Sequence, residues 1–383
     1  MEYILTLFIF IILLSLLIII HEWGHMFVAL KRGVIVKSFA IGFGPKIYSF
    51  KRNGIEYRLN VLPFGGYVSL FGEDDSSNNL KGSLSAASPL TKFLITIAGV
   101  VMNFIAAVVF LFIFLVLINF KFYYSNIIPN FHFTFGTNVN NVLFSGVPND
   151  KTSSVYKDKL NGLYILKSID NKKIHNISQI ESLVDSNKNK ILKFNFYKVN
   201  NLNLFGISEG KFYSKSFLDR SNYPKDSGPV GISIEEISHI EFNSFLSKAL
   251  SIFTFPYDVL QLTFQGFYYL IHQSIIHNNS KIITSQIAGP VGIYMYTNSI
   301  FQTDGVVGLL FIFGIISLSL SIMNLLPIPP LDGFYVLLAV IEGLFSYKLN
   351  EKLMYYLSIL GIIFFILLMI FVTFNDLINF KII

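Results

Sequence analysis

Four stretches of the chain contain no Asp, Glu, Lys or Arg over a length that can cross a lipid bilayer. They cover residues 3–21, 93–120, 305–331 and 353–375. A hydrocarbon core about 30 Å thick requires about 20 apolar residues in helical form, so each stretch predicts a membrane-spanning helix. Residues 122–245 are polar by comparison and predict a water-exposed domain between the second and third spans.

Residues 34–71, between the first two spans, carry the signals of a small β-hairpin. Two runs rich in β-branched and aromatic residues flank Asn53-Gly54, a dipeptide that favours two-residue hairpin turns. Residues 63–67 are predicted to end the hairpin. Two interpretations stay open: an ordinary amphipathic loop, or an edge strand beside the membrane that can pair with an extended substrate.

A compact module is predicted between about residues 140 and 200. Its order is strand, turn at Asp170-Asn171, strand, an amphipathic helix over 177–186 and an alternating strand over 190–197. This order resembles a PDZ domain, whose groove binds an extended peptide by strand addition. A generic small α+β module is the alternative.

The stretch 242–278 is apolar and aromatic but contains Pro256 and Asp258. We interpret it as an amphipathic helix that lies on the outer membrane face, and not as a span. His272 and His277 are five positions apart, which is not the spacing of two ligands on one helix face. Both are therefore expected to be interfacial side chains.

The composition assigns the chain to the integral membrane proteins. Of 383 residues, 53% are hydrophobic and only 14% are charged, against about a quarter charged in soluble domains. The chain contains no cysteine, which excludes disulfides and leaves histidine and carboxylate side chains as ligands for any zinc ion. The net charge of +6 is modest, and no nucleic acid partner is expected.

The distribution of basic residues predicts the orientation in the membrane. Residues 31–92 contain nine Lys and Arg against four acidic residues, whereas the start of the chain has Glu2 and no basic residue. Because short cytoplasmic loops are enriched in Lys and Arg, this loop is predicted to lie in the cytoplasm. Both chain termini and residues 122–304 are then expected on the outer side.

The first predicted span leads directly into His21-Glu22-Trp23-Gly24-His25. An HExxH sequence on a helix puts two imidazoles one turn apart on one face, where both can bind one zinc ion. Glu22 is placed to take a proton from the attacking water. Ionisable groups at membrane depth are costly and point to function, although histidines that only extend from a helix end are an alternative. A soluble zinc protease behind a signal peptide is disfavoured, because the N-terminus lacks a basic region and no cleavage site precedes the motif.

Asp332 is the best candidate for a third zinc ligand. It is the only acidic residue between 305 and 341, and it closely follows Pro-Ile-Pro-Pro at 327–330. Three prolines in four residues break a helix, and broken backbone at membrane depth is tolerated only when it is buried in protein or lines a watery cavity. Glu342 is a second candidate, but no broken helix precedes it.

Four sequence patterns together resemble the site-2 protease family of intramembrane zinc metalloproteases, and within it the bacterial regulator of sigma-E protease branch. The patterns are HEWGH at 21–25, Gly99-xxx-Asn103, AGPVGI at 288–293, and NLLPIPPLDG at 324–333. The resemblance implies that His21, His25 and Asp332 bind Zn²⁺ and that Glu22 is the catalytic base. It also implies that Asn103 and Asn324 handle the substrate near the metal.

The expected fold is an α-helical polytopic membrane protein with about four transmembrane helices, a cytoplasmic membrane-associated β-hairpin and an extracytoplasmic PDZ-like α+β insert. The predicted divisions are a first span with HExxH at 1–31, a cytoplasmic loop at 32–92, a second span at 93–120, the PDZ-like domain at 121–235, an amphipathic interfacial region at 236–304, a third span with the LDG motif at 305–333, and a cytoplasmic turn, fourth span and tail at 334–383.

The same resemblance implies hydrolysis of peptide bonds within or near the transmembrane segments of single-span membrane proteins, such as anti-sigma factors or remnant signal peptides. The protein would reside in the bacterial inner membrane among lipids, and its PDZ-like domain could bind peptides. Two departures leave substrate gating open: Gly333 precedes Phe334 where a second glycine is usual, and there is room for one PDZ-like domain where the best-known relatives have two.

Two rival functions use the same features differently. One is a metal-binding membrane receptor or transporter that does not hydrolyse anything. The other is a PDZ-type scaffold with membrane anchors, which does not explain an acid and three prolines at membrane depth.

Overall fold

The computed structural model describes residues 2–72, 80–124, 131–147, 150–160, 162–203, 206–220, 228–279, 281–347 and 349–381. The helices in these ranges are α1 (Glu2–Lys31), α2 (Pro89–Leu117), α3 (Ser154–Lys157), α4 (Ile177–Asp185), α5 (Phe245–Ile276), α6 (Lys281–Thr284), α7 (Pro290–Asn324), α8 (Asp332–Phe345) and α9 (Glu351–Asn379). The strands are β1 (Val36–Arg52), β2 (Ile55–Leu70), β3 (Lys121–Tyr124), β4 (Thr137–Gly146), β5 (Leu163–Ile169), β6 (Lys172–Lys173), β7 (Ile191–Asn203), β8 (Gly206–Leu218) and β9 (Ile232–Glu241).

The chain divides into two compact units. The first unit comprises residues 1–113 and 267–383, and the second comprises residues 114–266. Helices α2 and α5 each contribute residues to both units.

Four helices of the described chain, α1, α2, α7 and α9, are long and apolar enough to cross a membrane. Together with the β-sheets they establish a polytopic α-helical membrane protein, as the hydrophobic pattern predicts. The cytoplasmic and extracytoplasmic assignments of the loops stay predictions.

The predicted third span, residues 305–333, differs from the structure at both ends. Helix α7 begins at Pro290, because proline at the first helical position has a backbone φ that suits a helix start. Residue 305 marks a kink inside this helix, where Gly305 adopts a φ of 60°. The helix ends at Asn324 because the proline-rich run follows, and Asp332 opens the separate helix α8.

Within the first unit, α7 packs against both α1 and α2. Phe10 and Leu17 of α1 form a buried cluster with Leu309 and Phe313 of α7. The α7 serines 317 and 321 donate hydrogen bonds to the backbone oxygens of residues 103 and 100 on α2, over 2.8 and 3.0 Å. Serine hydroxyls of this kind join apolar helices without leaving a buried polar group unsatisfied.

Helix α9 holds the start of α7 through a buried carboxylate. Asp376 is 1% exposed and accepts hydrogen bonds from the backbone N–H groups of Gly289 and Gly292, over 3.0 and 2.7 Å. Gly289 is the N-cap residue of α7 and has no side chain with which to cap its own helix. Asp376 therefore satisfies two of the free N–H groups that every helix start presents.

The β1–β2 sheet also belongs to the first unit. As predicted, Asn53 and Gly54 form the turn, with φ angles of 51° and 81°. The prediction that residues 63–67 end the hairpin is wrong, because β2 continues to Leu70. Residues 66–70 pair with residues 36–41 of β1 in antiparallel register, so the end of β2 gains a partner that the local sequence does not reveal.

The second unit is built around a seven-stranded antiparallel sheet in the order β3-β9-β4-β5-β7-β8, with β6 paired to β5. Helix α4 begins after Asn176, whose side chain accepts the Gln179 N–H, and it buries Ile180 and Val184. These side chains join a buried cluster with the phenylalanines of β4, β7 and β8. The strand, turn, strand, helix and strand predicted between 140 and 200 thus appear in that order.

Helix α5 runs without interruption through Pro256 and carries many exposed large apolar side chains. Asp258 is fully buried and accepts hydrogen bonds from the N–H and hydroxyl groups of Thr134, over 2.8 and 2.7 Å. Burial raises the pKa of the Asp258 carboxyl. The interfacial position of this helix stays a prediction.

We expect Asp376→Asn to lower the stability of the first unit by about 1–3 kcal/mol. The amide keeps one acceptor oxygen but places an NH₂ group beside a backbone N–H that then has no acceptor. Thermal unfolding in detergent micelles measures the change, with the exposed Glu181→Gln as the control. An Asp376→Asn melting temperature equal to that of the control would contradict the capping role.

Candidate metal centre

Three side chains predicted as zinc ligands meet at one point of the first unit. His21 and His25 lie one turn apart on α1, and Asp332 is the first residue of α8. The Nε2 atoms of the imidazoles are 3.2 Å apart. Oδ2 of Asp332 lies 3.1 Å from Nε2 of His21 and 3.4 Å from Nε2 of His25.

This triangle of donor atoms fits a zinc ion. Bonds of 2.0–2.1 Å in a tetrahedral complex place neighbouring ligand atoms about 3.3–3.4 Å apart, close to the three distances above. Oδ2 of Asp332 is also buried without a hydrogen-bond partner. A buried carboxylate oxygen in this state is costly unless a cation satisfies it. Among the described residues, this is the group of side chains able to hold a metal.

The outer nitrogen of each imidazole has a fixed partner on α2. Nδ1 of His25 lies 2.8 Å from the backbone oxygen of Ile95, which can only accept, so this nitrogen carries the proton and Nε2 is left to bind metal. Nδ1 of His21 lies 3.2 Å from the side-chain amide of Asn103. The amide oxygen, Oδ1, accepts from a protonated Nδ1 once the amide is turned to present it, and this leaves Nε2 of His21 free for metal as well.

Two glycines allow α1 and α2 to approach this closely. A Cβ atom on Gly24 would lie 2.6 Å from the backbone oxygen of Ala98. A Cβ atom on Gly99 would lie 2.3 Å from Nε2 of His25 and 2.6 Å from Cε1 of His21. Small residues at these positions are therefore required by the geometry of the imidazoles, beyond ordinary helix packing.

Glu22 lies beside the triangle and next to the end of β2. Its carboxylate accepts a hydrogen bond from the backbone of Val68. A Cβ atom on Gly66 would lie 3.2 Å from Ile18 and 3.5 Å from Cγ of Glu22, so this part of the strand lies against α1, and it would lie 2.9 Å from the backbone oxygen of Ala40 in the paired strand. The catalytic base predicted from HExxH is thus held at the edge of a β-strand.

Two cavities meet at His21, Glu22 and Asp332. The larger, of about 770 Å³, is lined by His21, Glu22, His25 and Asp332 and extends along α2 and α8. The smaller, of about 310 Å³, is lined by Glu22 and Asp332 together with Asn103, Asn324 and the Gly65-Gly66 pair. The two asparagines predicted to handle substrate therefore line one space, although their role stays a prediction.

The rest of the predicted set lies elsewhere. His272 on α5 and His277 just after it are exposed, and both lie outside the group of side chains able to hold a metal. The carboxylate of Glu342, the second candidate ligand, lies 2.8 Å from the ammonium group of Lys92.

Three contributors to the site escaped the sequence reasoning. The backbone groups of Ile95 and Val68 leave no residue-type signal, because any residue supplies a backbone N–H and C=O. Lys92 could have been recognised from the sequence, because it is a charged residue in the first turn of a spanning helix. Outside the two cavities, on the β1–β2 sheet, Arg58 and Lys46 donate hydrogen bonds to Glu56 and lower the pKa of its carboxyl to about 2.

We expect Gly99→Ala to abolish metal binding or weaken it by more than about tenfold. The added methyl group collides with both imidazole rings, so α1 and α2 must separate or the rings must turn. Zinc content of the purified protein and competition with a chelating indicator measure the effect. Gly343→Ala is the matched control, because its Cβ meets only Pro89 at 3.4 Å. Equal zinc affinity in both variants would show that the close approach is not needed.

Comparison with known proteins assigns this geometry to a family. Residues 9–368 match the model of peptidase family M50. A candidate zinc metalloprotease of Campylobacter jejuni is 29% identical over 373 residues, covering 96% of this chain and 91% of the relative. One from Clostridium perfringens is 29% identical over 368 residues, covering 95% and 96%. The zinc metalloprotease RasP of Bacillus licheniformis is 25% identical over 438 aligned positions, covering 97% and 98%. The chain belongs to peptidase family M50, and is thus a membrane-embedded zinc metalloprotease of the site-2 protease type that its motifs resemble.

Proposed function

We propose that the protein cleaves single-span membrane proteins within or near their transmembrane segments, at a zinc ion held by His21, His25 and Asp332. The observation that carries this proposal is the triangle of Nε2, Nε2 and Oδ2 atoms, with edges of 3.1–3.4 Å, beside the carboxylate of Glu22. Bound at this triangle, zinc would acidify a water molecule and polarise the scissile carbonyl. Three protein ligands leave the fourth position for that chemistry.

Glu22 moves the proton in this mechanism. It lines both cavities and is adjacent in sequence to a metal ligand, so its carboxylate reaches water at the metal and the backbone of a bound peptide. It takes the proton from the attacking water and then passes it to the leaving nitrogen. The hydrogen bond from the Val68 backbone holds the carboxylate at the edge of β2 during both transfers.

The substrate must be extended at the cleaved bond, because a helix keeps its carbonyls in its own hydrogen bonds. Residues 66–70 of β2 pair with β1 along one edge, and within the described chain no strand pairs with the other edge. Glu22 lies beside this end of β2. An unwound substrate segment adds to that edge as a further strand. Asn103 and Asn324, in the smaller cavity, offer hydrogen bonds to backbone groups released by unwinding.

The proposed location is the bacterial inner membrane, with the cleavage site near the cytoplasmic face. The metal ligands of α1 lie in its final third, close to the basic residues Lys31 and Arg32. The excess of basic residues over 31–92 supports a cytoplasmic position for this end of the helix and an outer position for the second unit. Both chain termini are then on the outer side.

The second unit is proposed to bind peptides as a PDZ-like domain. Residues 232–237 of β9 pair with β4 on one side; among the described residues, β3 pairs with the other side of β9 only over residues 238–241. Helix α4 borders this part of β9, since Glu236 accepts the backbone N–H of Ile177. The preceding glycines, 228 and 231, have φ angles of 67° and 81° and form a turn, closed by the Gly231 N–H donating to the Gly228 carbonyl, that leads into β9. In PDZ domains a loop at this end of the groove captures the C-terminal carboxylate of the peptide.

Peptides that end in apolar residues are expected to bind the full-length protein through this groove, since Ile232, Ile234 and Ile177 border it. Fluorescence anisotropy of a labelled peptide measures binding. The matched control is the same peptide with an amidated C-terminus, which is expected to bind at least about tenfold more weakly. Equal binding of the two peptides would rule out carboxylate recognition.

The rival function, a non-hydrolytic metal receptor or transporter, uses the same three ligands but gives Glu22 no task. The position of Glu22, in the same cavity as the three donor side chains and beside a strand edge where a peptide can lie, favours hydrolysis. A single substitution separates the two functions.

Glu22→Gln is expected to retain zinc and to lose cleavage of a single-span model substrate by a factor of at least about 10². The amide preserves size and polarity but cannot take a proton. Zinc content and the rate of substrate cleavage in detergent or liposomes are measured together, with Glu56→Gln as the control. A chelator is expected to stop cleavage by the unaltered protein, and readded zinc to restore it. Normal turnover by Glu22→Gln would remove Glu22 from the mechanism and reopen the receptor hypothesis.

A further inference from the structure

An ion pair between α2 and α8 lines the same cavity as the metal centre. Nζ of Lys92 lies 3.0 Å from Oε1 and 2.8 Å from Oε2 of Glu342, so the ammonium group contacts both carboxylate oxygens. The two side chains are only 19% and 15% exposed. They are 250 positions apart in sequence, and neither takes part in the proposed chemistry.

The pair closes a ring of contacts that includes the metal ligands. On α2, Lys92 is one turn before Ile95, whose carbonyl fixes His25. On α8, Glu342 is ten residues after Asp332, which is about 15 Å along the helix. The ring therefore runs from His25 to α2, across the ion pair to α8, and back to the imidazoles through Asp332.

The position of Asp332 is less constrained by its own helix than the positions of the two histidines, so it requires a contact from another helix. The other two ligands share one helix, which fixes their spacing, whereas Asp332 follows a proline-rich connection and opens a helix of 14 residues. The N-cap residue Leu331 makes no side-chain capping hydrogen bond. A rotation of α8 about this connection would move Oδ2 of Asp332 away from the imidazoles. A contact near the other end of α8 opposes that rotation most effectively, because it lies farther from the axis of rotation.

The burial of the pair is consistent with a positional task. Two charges that are largely removed from water gain little net stability, because the desolvation penalty offsets their attraction. Such pairs serve to fix one arrangement of elements when other arrangements leave a charge buried and unpaired. The α8 face between Asp332 and Glu342 lines the larger cavity through Tyr335, Leu338 and Ala339. This face is therefore only partly packed against other parts of the protein.

We propose that Lys92 and Glu342 are positioning residues, which form a strut that holds α8 against α2 and thereby keeps Asp332 in place as the third ligand. The proposal rests on the proposed zinc ligands, so it is tested by one measurement that needs no metal and by a second that does.

The first measurement is disulfide formation between α2 and α8. A Cβ atom on Gly343 lies 3.4 Å from Cβ of Pro89, close to the range of about 3.5–4.5 Å that a disulfide requires. The chain has no cysteine, so Pro89→Cys/Gly343→Cys can form a single intramolecular bond. We expect rapid cross-linking with the ion pair intact and at least about tenfold slower cross-linking when Glu342→Gln is added. An unchanged rate would overturn the strut.

The second measurement is zinc affinity by competition with a chelating indicator. Glu342→Gln and Lys92→Met are each expected to weaken zinc binding by about tenfold, as supporting partners of a ligand commonly do. The charge-swapped double variant Lys92→Glu/Glu342→Lys is expected to recover most of that loss. The oxidised disulfide is expected to do the same in the Glu342→Gln background, but the reduced dithiol is not. Lys46→Met, which removes the more exposed Lys46–Glu56 pair, is the matched control and is expected to have no effect.

The outcomes separate the two proposals. Zinc affinity that is insensitive to Glu342→Gln, or that neither the swap nor the disulfide restores, would overturn the strut while leaving the zinc ligands intact. An unaltered protein that binds no zinc would overturn the proposed function, and the metal-independent cross-linking rate would still decide whether the pair holds α8 to α2.

Discussion

The whole arrangement depends on bringing one carboxylate to two imidazoles inside an apolar bundle. None of these groups is tolerated alone at membrane depth, since each would lose its hydration without compensation. Together, the nitrogen atoms of His21 and His25 and the oxygen of Asp332 form a site with the spacing of zinc ligands. The glycines of α1 and α2, the serines of α7 and the broken connection before α8 all contribute to this convergence.

Two non-helical segments form part of the candidate site in a bundle that otherwise consists of long helices. The proline-rich connection ends α7 and lets Asp332 start a new helix, whose N-terminal turn also favours a negative charge. Strand β2 brings extended backbone up to Glu22, with Gly66 lying against Ile18 and Glu22 of α1. In the proposed mechanism, helices α1 and α8 supply the metal ligands and a strand supplies the edge for an extended peptide, so each secondary structure serves the part of the reaction that its geometry suits.

The sequence predicted those parts of the site that depend on residue type and local spacing. The pair His21 and His25 follows from the helical repeat, and Asp332 follows from a single acid after a proline run. The continuation of β2 to Leu70 was missed, because its pairing with residues 36–41 depends on chain segments about 30 positions apart. The Ile95 carbonyl was missed for a different reason: its role comes from its position on α2, and every residue has a carbonyl.

Helix α8 shows why long-range contacts complete a site that local patterns only begin. Sequence spacing fixes how far Glu342 lies from Asp332 along α8, but not what faces it. In the sequence Glu342 is the second ligand candidate after Asp332, and the approach of α2 places the ammonium group of Lys92 beside it, whereas Asp332 faces the two imidazoles. Within the described chain, the buried Oδ2 atom of Asp332 has no hydrogen-bond partner and faces two imidazole nitrogens, an arrangement that suits a metal, while Glu342 is paired with Lys92. In a low-dielectric interior, the available partner determines what an ionised side chain does.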